Sequence, residues 1–426
     1  MAEITRIVKR NALLFSIIWL AFTAVLMYQR NLYAVPRFFE HVNMLLLALL
    51  VAYVLTRHFS AASVGIGGAF MLYAIWFTYR RLAGAPTTSV SYLSLLQLLT
   101  VGYGYIAIQA YYTPAEITRQ IRAAGWFTWF WGLLGLAFQL LTHQRLNAAA
   151  VIVFQPHAGA LYLVMLTASG LEIEARRERR LYLALGALMV LTTVWRARIS
   201  VVMVCALGAA YLWAHYLRRR AIWVRVLAGL TAVIIAVAGI YGLARVKMSS
   251  VVMRAELWQK VGTIIAEKPL FGVGLGQLRV YSDVETHFEV SKKISECGWT
   301  RVMLPNNEPA PMFAAHAHNA YLTVAAETGL LGWSADCAFL WLLWLTRRYR
   351  PAGANYALLA FLVSNLTGDS LHLWVIAALV VSSVALTRWR EWWEAEGVYW
   401  PRKHVLAALG AFYLVMAAVI LAWEGL

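Results

Sequence analysis

Apolar blocks of about 17 to 22 residues recur along this chain from residue 11 to residue 423, each long enough to cross a hydrocarbon core roughly 30 Å thick as a helix. In lipid every backbone amide must find its partner inside the spanning structure, which leaves a helical bundle or a closed β-barrel. Barrel strands alternate polar and apolar residues with a period of two, and these blocks do not. The fold class read from the sequence is therefore an all-α integral membrane protein. Of the 426 residues, 62% are hydrophobic and 13% charged, against roughly 25% charged in a soluble domain.

Candidate spans fall at 11–28, 39–56, 61–79, 90–111, 123–142, 149–170, 181–195, 199–217, 222–243, 331–346, 354–368, 371–387 and 404–423. The count is 13 if 354–388 is a hairpin and 12 if it is one broken helix, because Thr367-Gly368-Asp369-Ser370-Leu371-His372 is polar enough to turn. The chain thus divides into a bundle over 1–243, a polar segment over 244–330 and C-terminal spans over 331–426.

Arginine and lysine set the orientation. With the N-terminus inside, the inner loops hold 21 of them and the outer loops, leaving out the polar segment, hold seven: Arg30, Arg37, Arg80, Arg81, Arg145, Arg196 and Arg198. By the positive-inside rule the segment 244–330 faces the periplasm or exterior. The net charge of +17 falls in short clusters at span ends, so topology accounts for it and a nucleic-acid partner is not expected. Cys205, Cys297 and Cys337 lie apart, with no disulfide or metal-binding spacing. The basic start, Arg6 with Lys9 and Arg10, precedes an apolar block with no small-residue cleavage site, which reads as a retained first span.

A polar segment of this length between spans exceeds what a connection needs and reads as a functional element. Val252, Leu257, Val261 and Ile264/Ile265 recur on one side of a helix over 249–267, which Pro269 stops. The glycines of 272–276 lack the Gly-Lys-Ser/Thr ending of a nucleotide loop, and no ATP is available outside. They read as positions where backbone turns and packs against a neighbour.

Arg196 and Arg198 stand at the outer end of a span, where a charge is costly unless paired or used, although snorkelling to headgroups is the alternative. A guanidinium stays ionised and binds a phosphate through two hydrogen bonds, and Arg254 offers another such group on the polar segment's first helix. In His316-Ala317-His318-Asn319, a histidine near its reference pKa of about 6.5 can take a proton from a hydroxyl nucleophile. Zinc is the rival, but the pair lacks a third ligand at a recognisable spacing, so no metal or other cofactor is expected. Asn319 is placed to cap a helix that begins there. Asp369 is either a functional acid in an apolar stretch or a turn cap.

These pieces resemble the O-antigen ligase and polymerase superfamily. The resemblance rests on a span-end arginine in a short outer turn, an arginine followed by Pro269-Leu270-Phe271-Gly272-Val273-Gly274-Leu275-Gly276, and His318-Asn319-x-Tyr321-Leu322 with Glu327-x-Gly329-Leu330-x-Gly332 behind. It covers roughly 150–390, where Gln155-Pro156-His157-Ala158 resembles an upstream Pro-Asn-x-x-Ala segment with His157 in place of Asn. The resemblance implies a GT-C-type glycosyltransferase of the bacterial inner membrane. Such an enzyme moves O-antigen from undecaprenyl diphosphate to a sugar hydroxyl of lipid A–core without a metal. It implies that Arg198 and Arg254 lie near the diphosphate and that His318 is the essential histidine. Besides these two substrates, membrane lipids are the expected partners. An O-antigen polymerase and a ligase acting on proteins are the sibling readings. A transporter for a polyprenyl-linked sugar is the reading from another class, against which no pair of broken spans recurs in matching halves.

Overall fold

A computed structural model of the chain describes residues 11–20, 101–143, 156–194, 199–217, 219–231, 248–274, 318–366 and 374–395, with Gly68 and Leu278 as single positions. No strand occurs among the described residues, as an all-helical chain requires. The principal helices are α1 (Pro114–Leu141), α2 (Pro156–Ser169), α3 (Arg176–Thr193), α4 (Ile199–Leu212), α5 (Met248–Glu267), α6 (Ala320–Leu345), α7 (Ala352–Ser364), α8 (Trp374–Ala385) and α9 (Trp389–Ala395). Among the described residues two helices are long and apolar enough to cross a membrane, Pro114–Leu141 and Ala320–Tyr349. Of the remaining candidate spans, 149–170 and 181–195 fall on α2 and α3, five overlap shorter apolar helices, and the others lie wholly or partly outside the described residues. By contacts the chain divides into two compact units. One comprises Met1–Val201, Ala338–Ser364 and Ser370–Leu426, and the other Val202–Cys337 and Asn365–Asp369.

In the first unit α2 is the centre. It is apolar on every side, so it is buried on every side: Ala158, Ala160, Leu161, Leu163, Met165 and Leu166 are all inaccessible. Helices α1, α3, α7 and α8 pack around it. Helix α1 begins with a capping box, Thr113 Oγ1 accepting from Glu116 N at 3.3 Å while Thr113 N donates to Glu116 Oε2 at 3.0 Å, with Pro114 at the first position. At 28 residues it is about 42 Å long, more than the hydrocarbon core requires. Its outward side leaves Phe130, Trp131, Leu134, Phe138 and Leu141 exposed, an apolar face of the sort that water does not tolerate and lipid does.

Region 354–388 resolves into two helices, α7 and α8, packed on one another, which is the hairpin rather than the broken helix. The start of α7 is held by a carboxylate: Glu172 Oε1 accepts from Gly353 N at 2.8 Å. Thr118 and Ile121 of α1, Ser169 at the end of α2 and Glu172 after it, Gly353 of α7 and Leu386 after α8 line one small cavity. The same ends carry Arg119 and Arg122, Arg176 to Arg180 less Glu178, Arg347, Arg348 and Arg350, and Arg388 and Arg390. Arginines assigned to one membrane side by sequence therefore gather at one end of this unit.

Candidate active site

The second unit contains most of the polar segment. Helix α5 runs from Met248 to Glu267, within a residue of its sequence reading, and buries Leu257, Val261 and Ile264 in one cluster with Val273, Leu278 and Ala326. Val252 lies outside the residues whose side chains are described. Pro269 has no amide hydrogen to extend the helix, and the chain turns with Gly272 N donating to Lys268 O at 3.1 Å.

That turn meets a break in α6. At Gly329 the backbone leaves helical geometry with φ 64° and ψ −163°, a region closed to residues with a Cβ. The two irregular stretches satisfy each other's amides: Val273 N donates to Ala326 O at 2.9 Å and Gly274 N to Glu327 O at 2.8 Å. In return Leu330 N donates to Pro269 O at 2.7 Å and Leu331 N to Leu270 O at 3.3 Å. Four backbone bonds thus clasp 269–274 to 326–331. The approach is close enough that a Cβ on Gly272, itself at φ 68°, would stand 2.5 Å from the Glu327 carbonyl carbon, and one on Gly329 would stand 2.5 Å from Phe271 N. The reading of the glycines as backbone-packing positions is correct at Gly272, and Gly329 is its counterpart on α6. Gly276 lies outside the described residues.

His318 immediately precedes α6 at φ 52°, the left-handed region that most side chains avoid. It is half-buried. Asn319 caps the helix as anticipated, its Oδ1 accepting from Leu322 N at 3.1 Å. Its Nδ2 donates to Leu366 O at 3.2 Å, and Ala320 N donates to Asn365 O at 2.9 Å, so the segment that follows α7 also fixes this helix start. Tyr321 stands on the first turn of α6, half-buried.

Arg254 lies one turn before Leu257 on the same stripe of α5, at the edge of the apolar cluster. It is half-buried, and its Nε is buried without a hydrogen-bond partner among the described residues. Burial pushes its guanidinium below the ordinary arginine value. A buried donor on a permanent cation is costly when left unmet, so an anion brought to it is favoured. Along their helices Arg254 stands about 20 Å before the clasp and His318 about 16 Å before it.

Arg196, Arg198, His316 and Asp369 lie outside the described residues. Glu327 is a residue for which the sequence suggested no role. It is 6% exposed, and its Oε1 accepts from Leu278 N at 3.4 Å, tying the chain beyond the glycines to α6. The available signal was an acid beside Ala326 on a helix otherwise apolar at that depth.

Residues 181–335 match the model of the O-antigen ligase family, a stretch that starts in α3 and ends inside α6. It takes in Arg196, Arg198, Arg254, His316 and His318. No curated protein matches the chain. The match, over less than half of the chain, supports a protein of the O-antigen ligase type.

Proposed function

We propose that this O-antigen ligase-type protein is an inverting, metal-independent glycosyltransferase of GT-C type. It would transfer O-antigen polysaccharide from undecaprenyl diphosphate to a sugar hydroxyl of lipid A–core, in the outer leaflet of the bacterial inner membrane. The arginine count argues for a multi-pass chain with the segment 244–330 in the periplasm, between a bundle over 1–243 and spans over 331–426. The observation that carries the reading is the Nε of Arg254, buried and without a hydrogen-bond partner among the described residues, on a helix clasped to the one that His318 opens.

In the reaction the acceptor hydroxyl oxygen attacks the anomeric carbon and its proton passes to the His318 imidazole. The bond from that carbon to the diphosphate oxygen breaks on the opposite face, and undecaprenyl diphosphate leaves with the electron pair. Charge grows on the leaving oxygens as that bond lengthens, so guanidinium groups already in place stabilise the transition state more than the bound donor. Arg254 supplies one such group, and Arg196 and Arg198 are assigned the same task. His316, Tyr321 and Asp369 are assigned to the surroundings of the acceptor.

Purified protein in detergent, given lipid-linked O-antigen and lipid A–core, tests this directly. Turnover without an ion gradient excludes transport, and no turnover with authentic substrates overturns the transferase reading. Lipopolysaccharide gels of a deletion strain separate the siblings. Bare core with accumulated lipid-linked polymer marks a ligase, and core bearing one repeat marks a polymerase.

A further inference from the structure

At the arginine-rich end of the first unit, the turn between α6 and α7 carries charge that no carboxylate answers among the described residues. Thr346–Tyr349 form one 3-10 turn. The Arg347 guanidinium lies 3.9 Å from the centroid of the Trp344 ring, with Nη1 donating to Trp344 O at 2.7 Å. Arg348 is exposed. Arg350 is buried and meets three neutral oxygens: Nε donates to Thr387 Oγ1 at 2.8 Å, Nη1 to Asn355 Oδ1 at 3.0 Å and Nη2 to Thr346 Oγ1 at 2.9 Å. Burial without a counter-anion pushes its pKa down to about 10, which still leaves it cationic at neutral pH.

The turn is rigid as well as charged. Asn355 Nδ2 donates to Arg347 O at 2.8 Å and to Arg350 O at 3.3 Å, and Arg388 N donates to Tyr349 O at 2.9 Å. Helix α9 packs against it, but its acids are committed elsewhere: Glu391 pairs with Arg388 and Glu394 with Arg390, each at 2.8 Å. Just before the turn, α6 leaves Phe339, Trp341, Trp344 and Leu345 exposed. A ligand that suits both features has an anionic phosphate at one end and hydrocarbon at the other.

We propose that this corner is a binding site for one anionic phospholipid, with the headgroup phosphate held by Arg347 and Arg348 and an acyl chain along the face formed by Trp341, Trp344 and Leu345. Arg350 adds a buried positive charge behind the pair, and its neutral cage leaves that charge available to the lipid. The site shares no residue with the transferase chemistry and does not depend on it. A basic turn flanked by aromatic residues at the end of an apolar helix fits such headgroups.

Native mass spectrometry of the full chain in detergent, with phosphatidylglycerol or phosphatidylcholine added, reads the site. Phosphatidylglycerol is expected to be retained over phosphatidylcholine. The double variant R347Q/R348Q should lose that retention by about thirtyfold, the scale set by removing two surface arginines. R390Q, which removes a charge already paired with Glu394, should not change it. R348Q alone, at an exposed position, gives a smaller loss in the same direction if the double variant fails to fold. The proposal is overturned by equal retention of the two lipids, by full retention in R347Q/R348Q and R348Q, or by an equal loss in R390Q. Displacement of the lipid by millimolar inorganic phosphate assigns the site to free anions and overturns it too.

Discussion

A missing Cβ serves opposite ends in the two units. In the first, Gly125 makes room for a side chain: a Cβ there would fall on the hydroxyl of Tyr182, whose ring sits edge-on to Trp126 at 5.1 Å and to Trp129 at 5.5 Å. In the second, Gly272 and Gly329 make room for backbone, at positive φ and against carbonyl groups. Side-chain packing is forgiving, because rotamers and neighbours relax around a change. A backbone clasp has no such slack. Backbone also meets backbone at Gly353 in the first unit, where a Cβ would stand 2.6 Å from Ala168 O, but only the clasp sets two backbone stretches together at glycines of positive φ.

The largest effect should separate geometry from chemistry within the second unit. His318→Asn keeps a residue that tolerates the left-handed region and removes the imidazole, so transfer should fall by about 10²–10⁴-fold with thermal unfolding unchanged. His318→Ala should lose as much activity and in addition about 1 kcal/mol of stability. Wild-type transfer by the asparagine variant would end the assignment of His318 as base.

Next comes the clasp itself. Gly329→Ala should cost about 3 kcal/mol, since it adds a collision with the Leu270 carbonyl to a forbidden backbone geometry. Gly104→Ala in the first unit, where nothing lies within 4 Å of the added carbon, should stay within about 0.5 kcal/mol. Equal costs in a detergent unfolding titration would abolish the contrast between the units. Arg254→Lys, with its counterpart Arg198→Lys, should reduce transfer by about 10–100-fold, because an ammonium offers no planar fork. Undiminished rates would mean that positive charge alone suffices. The smallest effect belongs to the forgiving unit: Tyr182→Phe removes the bond to Leu166 O at 3.1 Å and should cost about 1 kcal/mol while leaving transfer intact.

What could be read from the residues alone follows the range over which each signal acts. Helix α5 was legible because its apolar stripe and its stop at Pro269 are local, and the Asn319 cap because capping is decided within three residues. The hairpin of α7 and α8 stayed undecided, since its polar centre suits a turn and a kink equally. The partner of the glycine segment was invisible: backbone bonding between 269–274 and 326–331 spans more than fifty residues and leaves no periodicity to find. Arg350 was legible only as one unit in a charge count, and a count does not reveal that threonine and asparagine cage it.

The nine residues from Ala320 to Thr328 are pinned at both ends, by the Asn319 cap and by the break at Gly329. A helix turns about 100° per residue, so adding or deleting one residue there would swing the imidazole a quarter-turn or more away from whatever the glycine segment holds. Many substitutions within that stretch should be absorbed. A change in its length should not, and the interval works as a ruler whose graduations matter more than its material.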